Sequence, residues 1–381
     1  MPRVAPSPDN LVTVDLAAIA HNCAVLRGLL PPGLGLAGVV KADAYGHGIL
    51  PVARTLKEAG AQALAVAQVH EGLLLRRRGI EGPILVMMGL GPGQAQEAAA
   101  QGLTPLISAW EDFQALSAAA QELGRPVACQ LKVDTGMSRL GVAPERALEL
   151  LRAAAALPGL ELTGLDSHLA TGGDPRSAQA RRQSRLYAEL LAAARAEGYA
   201  LPLSSLAGSG GVLAPPAGMP AGPGLARVGI ALYGGLPHAA CQGRAPLKGA
   251  MRFRSRLLAV RRVAKGQKVS YGGDWTAPRD TWLGAVAAGY SDGYPRAASN
   301  KASVLVQGRP ASVRGRVCMN LTVVELSGRD PLPEVGAEVV LLGRQGRAEI
   351  TADQLGAWAG TISYEITCSL GAANRRRYAR P

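Results

Sequence analysis

The chain has 381 residues, of which 48% are hydrophobic and 18% charged, and its formal net charge is +13. This composition excludes disorder as the main state, and the length suits roughly two or three domains. No stretch approaches the ~18 uninterrupted apolar residues that a membrane span needs. The start, MPRVAPSPDN, lacks the apolar core of a signal peptide. We therefore expect a cytoplasmic protein with no membrane partner.

The positive charge comes mostly from arginines spread along the chain. The two dense basic runs, residues 76–78 and 375–377, carry no interleaved aromatic residues that could stack on bases. We interpret them as a solvated face and a basic tail, and we predict no nucleic-acid partner. The five cysteines are scattered, and no cluster of His, Cys, Asp and Glu has metal-ligand spacing. The sequence therefore predicts reduced cysteines and no metal.

Between residues 35 and 235 one rhythm repeats: a short apolar run, a loop, and an amphipathic stretch rich in alanine and leucine. Such alternation is typical of parallel strands joined by helical crossovers. Eight units of this kind predict a (β/α)8 barrel, and a doubly wound open sheet is the alternative that the same pattern permits. The apolar runs are residues 38–40, 63–66, 83–86, 103–107, 129–133, 162–169, 203–207 and 226–232.

The pattern changes after residue 245, where alternating apolar and polar residues predict a separate, mainly β domain. One helix is predicted at residues 351–358, with Thr351 as its N-cap. The Gly- and Pro-rich residues 239–249 are the candidate linker. We therefore predict domains at 11–245 and 246–381, and we expect residues 1–16 to pack with the second domain. The alternating runs are residues 253–263, 303–306, 321–326 and 338–342.

Lys41 directly follows a buried strand pattern and precedes a compact polar loop, ADAYGHG. On a barrel this position is the C-terminal face, where catalytic groups collect. A lysine that binds an aldehyde cofactor covalently needs such a fixed backbone position. It also needs surroundings that exclude water, because desolvation lowers its pKa. The position also suits a structural lysine that extends from a strand end beside a glycine-rich turn.

The decapeptide VVKADAYGHG resembles the pyridoxal-phosphate signature of the alanine racemases. Further segments stand in the order and approximate spacing of that family, and together they cover residues 11–368. The resemblance implies a pyridoxal-phosphate-binding barrel followed by a β domain, in a homodimer that acts on a small amino acid. The further segments are KVDTGMSRLG, SHLAT, RVGIALYG, KVSYGG, AAGYSDGY, GRVCMN and SYEITC.

Inversion at the substrate Cα needs proton donors on both faces, and the resemblance assigns these catalytic roles to Lys41 and Tyr271. Because a phenol is a poor base at neutral pH, Tyr271 needs a cationic environment, which His168 and Arg227 are expected to supply. The resemblance also implies that Tyr271 reaches the cofactor held by the partner subunit. Arg227 is expected to face the ring nitrogen of pyridoxal phosphate and leave it largely unprotonated, which discourages transamination.

The resemblance also assigns residues that bind the cofactor and the substrate. Arg139 is expected to hold the substrate carboxylate, Met319 to donate from its backbone, and Tyr290 to limit substrate size at the entry. The loop that contains Ser209 is rich in glycine, which suits backbone donation to a phosphate or an ordinary tight turn. The implied cofactor-binding residues are Lys41, Tyr45, His168, Ser209, Arg227, Gly229, Ile230 and Tyr364.

Two positions leave alternatives open. The resemblance implies that Lys132 is carbamylated and orients Arg139, and the alternative is an unmodified Lys132 paired with Asp134. Where the family usually carries aspartate after the Cys-Met pair, this chain has Asn320, which removes a negative charge close to the substrate. We also expect His47 to orient its loop through a hydrogen bond.

The leading hypothesis is racemisation of L- and D-alanine, which supplies D-alanine for a bacterial cell wall. A broad-specificity or serine-preferring racemase is the alternative that Asn320 keeps open. A non-catalytic pyridoxal-phosphate carrier would lack the β domain and its tyrosine, so residues 246–381 argue against it. An amino-acid decarboxylase of related architecture fits the KVSYGG and GRVCMN segments less well.

Overall fold

A computed structural model describes residues 9–220 and 222–379 of the chain. The first elements within these ranges are strand β1 (Leu11–Asp15) and helix α1 (Leu16–Gly28). Helix α1 begins where the Asp15 carboxylate accepts a hydrogen bond from the amide of Ala18 at 2.9 Å. The barrel strands that follow are β2 (Leu34–Val39), β3 (Ala63–Val66), β4 (Ile84–Val86), β5 (Thr104–Ile107), β6 (Val127–Lys132), β7 (Leu160–Asp166) and β8 (Gly224–Val228).

The strands β2 to β8 are parallel and form one sheet in the order β7-β6-β5-β4-β3-β2-β8. Ser205 closes this sheet, because it bridges Asp166 at the end of β7 and Leu225 in β8. The predicted barrel is confirmed, and the open doubly wound sheet is excluded. The predicted strand at residues 203–207 is reduced to this one residue, since the Ser204 hydroxyl accepts the hydrogen bond from the Leu165 amide at 3.0 Å that a longer ladder would use.

Helices alternate with the barrel strands along the chain, as the sequence pattern predicts. Apolar side chains on the strands, such as Leu36, Leu64 and Leu131, are fully buried. Burial of one such side chain contributes ~1.5–3 kcal/mol, and the resulting core fixes the strand ends and the residues that follow them. The helical segments are α2 (Lys41–Tyr45), α3 (Ile49–Glu58), α4 (Val69–Arg77), α5 (Ala95–Ala100), α6 (Trp110–Leu123), α7 (Pro144–Ala155), α8 (Ala178–Ala196) and α9 (Ser209–Leu213).

A mainly β domain follows the barrel, as the change of pattern predicts. Its strands are β9 (Met251–Val263), β10 (Lys268–Val269), β11 (Trp275–Thr276), β12 (Thr281–Val286), β13 (Ser303–Val306), β14 (Arg309–Ser312), β15 (Thr322–Glu325), β16 (Glu338–Gln345), β17 (Ala348–Ile350) and β18 (Arg375–Ala379). The four alternating runs of the sequence correspond to β9, β13, β15 and β16. Strand β1 lies between β9 and β18 in the main sheet of this domain. The expectation for residues 1–16 lies partly outside the described residues, which begin at residue 9.

Within the described residues, two α-helices interrupt the β domain, and only one was predicted. Helix α10 (Ala352–Ala359) begins with Thr351 as N-cap, whose hydroxyl accepts a hydrogen bond from the Gln354 amide at 3.1 Å, as predicted. Helix α11 (Ser363–Ala373) was missed, because its residues show no clear apolar stripe. The basic run that we interpreted as a tail is part of strand β18. No helix in the described ranges is long and apolar enough to cross a membrane.

Helix α11 packs directly against the turn that follows Lys41. A Cβ atom added at Gly46 would lie 2.2 Å from the carbonyl oxygen of Thr367, and one added at Gly371 would lie 2.0 Å from the oxygen of Gly46. Gly46 also has a φ of +82°, which favours glycine. The β domain therefore holds the barrel loop in place through a backbone contact that allows no side chain.

We expect Gly46→Ala to lower the free energy of unfolding by about 3 kcal/mol, since it adds a backbone collision to left-handed strain. Gly79→Ala is the matched control, because Gly79 has a φ of +77° and an added Cβ would meet nothing within 4 Å. The control should lose only about 1 kcal/mol. Urea unfolding of both variants measures the difference, and equal losses would contradict the tight contact with α11.

Candidate active site

A cavity of about 900 Å³ lies at the carboxyl ends of the barrel strands. Its walls are formed by residues that follow β2, β3, β4, β6, β7 and β8 and by Tyr364 from helix α11. Because the carboxyl ends of parallel strands meet at one end of a barrel, residues far apart in sequence are brought together at this point. The sequence-predicted residues that line it are Lys41, Tyr45, Lys132, Arg139, His168, Ser209, Arg227, Gly229, Ile230 and Tyr364.

Lys41 begins a short turn whose next four residues all have left-handed backbone angles, with φ between 52° and 56°. Each such residue costs ~1–2 kcal/mol, so the turn persists only where its surroundings enforce it. The Glu71 carboxylate accepts a hydrogen bond from the amide of Ala42 at 2.7 Å, and the Asp43 carboxylate accepts one from Ile49 at 2.7 Å. The polar loop predicted after Lys41 is therefore a rigid left-handed turn.

Lys41 has an environment that favours a neutral amine. Burial lowers its pKa, the charges of Arg139 and Arg227 lower it further, and Glu71 partly opposes the shift. A lower pKa enlarges the fraction of uncharged amine, which is the nucleophilic form of a lysine. The side chain can therefore attack a carbonyl carbon and can also accept a proton.

Hydroxyl groups and backbone amides converge at another wall of the cavity. The Ser209 hydroxyl accepts hydrogen bonds from the amides of Gly229 at 3.0 Å and Ala231 at 3.3 Å. A Cβ atom at Gly229 would lie 2.3 Å from the Tyr45 hydroxyl, so the backbone approaches that ring closely. Burial raises the pKa of Tyr45, and it raises the pKa of Tyr364 to about 12. Both phenols therefore stay protonated and can donate to an anion.

A buried ionic network centred on Asp166 holds two of the residues that line the cavity, Lys132 and Arg227. The Asp166 carboxylate accepts hydrogen bonds from Lys132 Nζ, from Arg227 Nη1 and, at 2.9 Å, from the Ser205 hydroxyl. Arg227 Nη2 also donates to the Ser167 carbonyl at 2.6 Å and lies 3.2 Å from His168 Nδ1. The guanidinium of Arg227 is therefore held by three neighbours: the Asp166 carboxylate, the Ser167 carbonyl and the His168 ring.

The suggested pairing of Lys132 with Asp134 is wrong. Asp134 Oδ1 accepts hydrogen bonds from the backbone amides of Gly136 at 2.9 Å and Met137 at 2.7 Å. Its Oδ2 accepts one from the backbone amide of Arg139 at 3.1 Å. These bonds turn the Asp134 carboxylate toward its own loop, and Lys132 binds Asp166 instead. Sequence reasoning missed Asp166, although a carboxylate within the predicted apolar run at residues 162–169 was the signal that could have revealed it.

Three predicted site residues lie outside this cavity. Tyr271, Tyr290 and Met319 are 71%, 42% and 55% exposed, respectively, and they belong to loops of the β domain that meet at Cys318. The Ser270 hydroxyl lies 3.4 Å from Cys318 Sγ, and the amide of Tyr290 donates to the Cys318 carbonyl at 3.1 Å. We call this group, together with Asn320, the Tyr271 cluster. Within one chain it forms a second, exposed group of predicted site residues.

Asn320 is held by a neighbouring loop of the same cluster. Its Nδ2 donates to the Ser291 hydroxyl at 2.7 Å, and that hydroxyl donates to the Met319 carbonyl at 2.8 Å. A carboxylate at position 320 could accept a hydrogen bond from Ser291 but could not donate one. The amide therefore sets the direction of this chain of hydrogen bonds.

His47 anchors the turn after Lys41 from inside the protein. Its Nδ1 donates to the carbonyls of Ala44 and Tyr45, both at 3.0 Å, and its ring stacks on Tyr233 at 4.5 Å between centroids. Burial lowers the pKa of His47 to about 4, and its Nε2 has no hydrogen-bond partner among the described residues. The imidazole is therefore neutral in the folded protein at physiological pH.

The folded state should lose stability as the pH falls from about 6.5 to about 4, because the unfolded state then binds a proton that buried His47 excludes. We expect His47→Gln to lose about 3 kcal/mol less across this window. Exposed His70→Gln is the control and should follow the wild type. Urea unfolding at several pH values measures the slopes. Burial also lowers the pKa of His168, but this contribution is the same in the wild type and both variants and therefore cancels. Parallel curves for wild type and His47→Gln would contradict the assignment.

The barrel, its lysine-lined cavity and the following β domain define a two-domain barrel protein, and comparison with known proteins gives its family. The model of the alanine racemase N-terminal domain matches residues 14–237, and that of the alanine racemase C-terminal domain matches residues 250–378. The chain therefore belongs to the alanine racemase family, whose members are isomerases.

Individual relatives are similar over nearly their whole length. The alanine racemase of Symbiobacterium thermophilum is 40% identical over 366 residues, which cover 96% of each chain. The alanine racemase of Syntrophobacter fumaroxidans is 39% identical and covers 94% of this chain and 95% of its own. A solved alanine racemase from Streptomyces lavendulae superposes with a TM-score of 0.91 at 35% identity, over 100% of this chain and 98% of that one.

One similar structure carries a cofactor. The alanine racemase of Bartonella henselae, solved with covalently bound pyridoxal phosphate, matches with a TM-score of 0.85 at 28% identity, over 98% of this chain and 100% of that one. Among the described residues of the present chain, no group of three or more His, Cys, Asp and Glu side chains could hold a metal ion.

Proposed function

We propose that the chain racemises alanine with pyridoxal phosphate bound in the barrel cavity, as a homodimer whose two sites are shared between subunits. The observation that carries this proposal is the division of the predicted residues. Lys41 and the hydroxyl groups of Tyr45, Ser209 and Tyr364 line one cavity, whereas Tyr271 is 71% exposed on the β domain. An exposed tyrosine of this kind is available to the cavity of a second copy.

The cavity residues fit the cofactor. Tyr45, Ser209, Tyr364 and the backbone at Gly229 and Ile230 offer donors for its phosphate. Lys41, with its lowered pKa, is suited to hold it covalently. Pyridoxal phosphate, when bound, supplies an electron sink that makes the Cα–H bond of an amino acid acidic.

Two side chains would then move the proton on opposite faces of the substrate. Lys41 acts from the barrel, and the partner's Tyr271 acts from the other side. One base alone tends to return the proton to the face from which it came, so inversion needs both. The Arg227 guanidinium is held by Asp166, and because a guanidinium carries hydrogen-bond donors and no acceptor, it would donate at the ring nitrogen. His168 lies beside Arg227, but burial and the charge of Arg227 lower its pKa to about 3, so Arg227 and not His168 would supply the positive charge near the incoming phenol.

The remaining assignments concern the substrate-binding residues, the domain bounds, the cellular compartment and the second candidate function. Arg139, exposed at the rim of the cavity, would bind the substrate carboxylate together with the Met319 backbone, and Tyr290 would limit side-chain size. We propose domains at residues 11–245 and 246–381, with strand β1 from the start of the first range packed in the sheet of the second domain, and a cytoplasmic enzyme that supplies D-alanine for the cell wall. A broad-specificity or serine-preferring racemase is the second candidate, which Asn320 keeps open because its neutral amide, held by Ser291, replaces the negative charge that the family usually carries there.

A substrate panel with chiral separation tests this function. Purified protein, supplied with pyridoxal phosphate, is given each L-amino acid in turn, and both enantiomers are quantified. We expect L-alanine to convert to an equal mixture and to outrun L-serine. Faster turnover of serine would reject the narrow assignment, and no inversion of any amino acid would reject a racemase.

A further inference from the structure

The three arginines at residues 375–377 divide between the two faces of strand β18. Successive side chains of a strand point to opposite faces, and Arg375 and Arg377 are both exposed. Arg376 lies between them on the opposite face, and its side chain is only 24% exposed. Of the three, Arg376 is the one that forms an ion pair within the part of the chain that the structure describes. Its partner belongs to the turn that follows Lys41.

Arg376 contacts this turn at two places. Its Nη1 forms an ion pair with the Asp43 carboxylate and donates a hydrogen bond to the Gly46 carbonyl at 3.1 Å. The other oxygen of Asp43 accepts a hydrogen bond from the amide of Ile49 at 2.7 Å. Arg376 therefore links the middle of the turn to its end, and Asp43 also binds the first residue of helix α3.

The turn needs such restraint because its backbone is strained. Residues 42–45 are all left-handed, a conformation that is disfavoured for every residue except glycine. Strained backbone persists only where the surroundings enforce it. Glu71 binds the amide of Ala42 from the barrel side, and Arg376 binds the turn from the β domain. Loss of Arg376 would therefore remove the charged restraint that the β domain provides.

We propose that Arg376 is a positioning residue for Lys41, because it holds the strained turn in the shape that keeps the lysine amine at the cofactor. Lys41 directly precedes the left-handed residues, so relaxation of the turn would displace its side chain. A displacement of about 1 Å at a reacting group can cost about 10²-fold in reactivity. The inference rests on the proposed function and extends it, since it gives strand β18 a role in cofactor binding.

Titration of the cofactor-free full chain with pyridoxal phosphate, followed by absorbance, tests the inference. Arg376→Met removes the guanidinium and should weaken cofactor binding about tenfold. Arg376→Lys keeps a positive charge for Asp43 and should restore part of the affinity. Arg377→Met is the matched control, because it removes the same charge from the exposed face of the same strand. The control should bind pyridoxal phosphate as tightly as the wild type does.

Hydrogen–deuterium exchange of the cofactor-free protein tests the turn itself and needs no turnover. The amides of Ala44 and Gly48 donate to the carbonyls of Val40 and Asp43, both at 2.8 Å. We expect the peptide that covers residues 42–49 to exchange about tenfold faster in Arg376→Met than in the wild type or Arg377→Met. Strand β6 should exchange at its wild-type rate in all three proteins. A purely structural loss would instead speed exchange in the turn and in β6 alike.

Either unchanged cofactor affinity or unchanged exchange in folded Arg376→Met would overturn the inference. An equal effect of Arg377→Met would also overturn it, since a general effect of charge would then explain both. If Arg376→Met does not fold, Asp43→Asn gives the same comparison, because its amide oxygen can still accept from Ile49 while the charge that binds Arg376 is lost. A wild type that binds no pyridoxal phosphate would reject the proposed function, whereas the exchange measurement would still decide whether Arg376 holds the turn.

Discussion

Replacing Lys41 with alanine is expected to abolish racemisation, with a loss of at least about 10⁴-fold. The surroundings of Lys41 in the cavity suit its amine to covalent binding and to proton transfer. Its pKa is lowered by burial and by Arg139, and the strained left-handed turn that it begins is fixed by Glu71. Under the proposed function, the variant would lose both the covalent anchor of the cofactor and one of the two proton-transferring groups.

Borohydride reduction of the wild-type holoenzyme, followed by peptide mapping, checks the same assignment directly. Reduction makes the bond between lysine and cofactor permanent, and the label should lie on Lys41. Lys301→Ala is the control, because Lys301 is exposed and lies outside the cavity, and it should keep full activity. A label on any other lysine would refute the anchor.

Tyr271→Phe should keep the bound cofactor and lose racemisation by about 10²- to 10⁴-fold. The change removes one hydroxyl from a side chain that is 71% exposed and leaves the cavity of its own chain intact. Proton transfer from Lys41 then continues on one face, whereas exchange on the opposite face stops. Deuterium exchange at Cα, measured separately from L- and D-alanine, should therefore fall for one enantiomer and persist for the other.

Tyr199→Phe is the matched control for this prediction. Tyr199 follows helix α8 and lies outside both the cavity and the Tyr271 cluster, so its hydroxyl should be dispensable. If Tyr271→Phe lost deuterium exchange equally from both enantiomers, the assignment of one base to each face of the substrate would be contradicted.

Much of the fold could be predicted from local patterns. Seven of the barrel strands coincide with short apolar runs, because a parallel sheet buries both faces of each strand. The strand at 203–207 is reduced to Ser205, because the Ser204 side chain replaces a ladder bond, and a sequence pattern does not reveal such a replacement. Helix α11 was missed for a similar reason, since its place is set by tertiary packing of Gly371 against Gly46.

The candidate site was predictable where local sequence dictates position. The barrel topology alone brings together residues that lie within or just after a barrel strand, and these include Lys41, Ser209 and Arg227. The role of Asp166 could not be predicted in this way, because it depends on which cation a side chain faces across the barrel. The same limit explains the wrong pairing of Lys132 with Asp134.

We propose that each working site combines the barrel of one subunit with the tyrosine of the other. Inactive Lys41→Ala and inactive Tyr271→Phe are mixed under conditions in which subunit exchange is verified by mass, and alanine racemisation is then measured. Random exchange makes about half of the dimers mixed, each with one intact site, so about a quarter of the wild-type activity should return. A mixture that stays as inactive as its two components would contradict the claim.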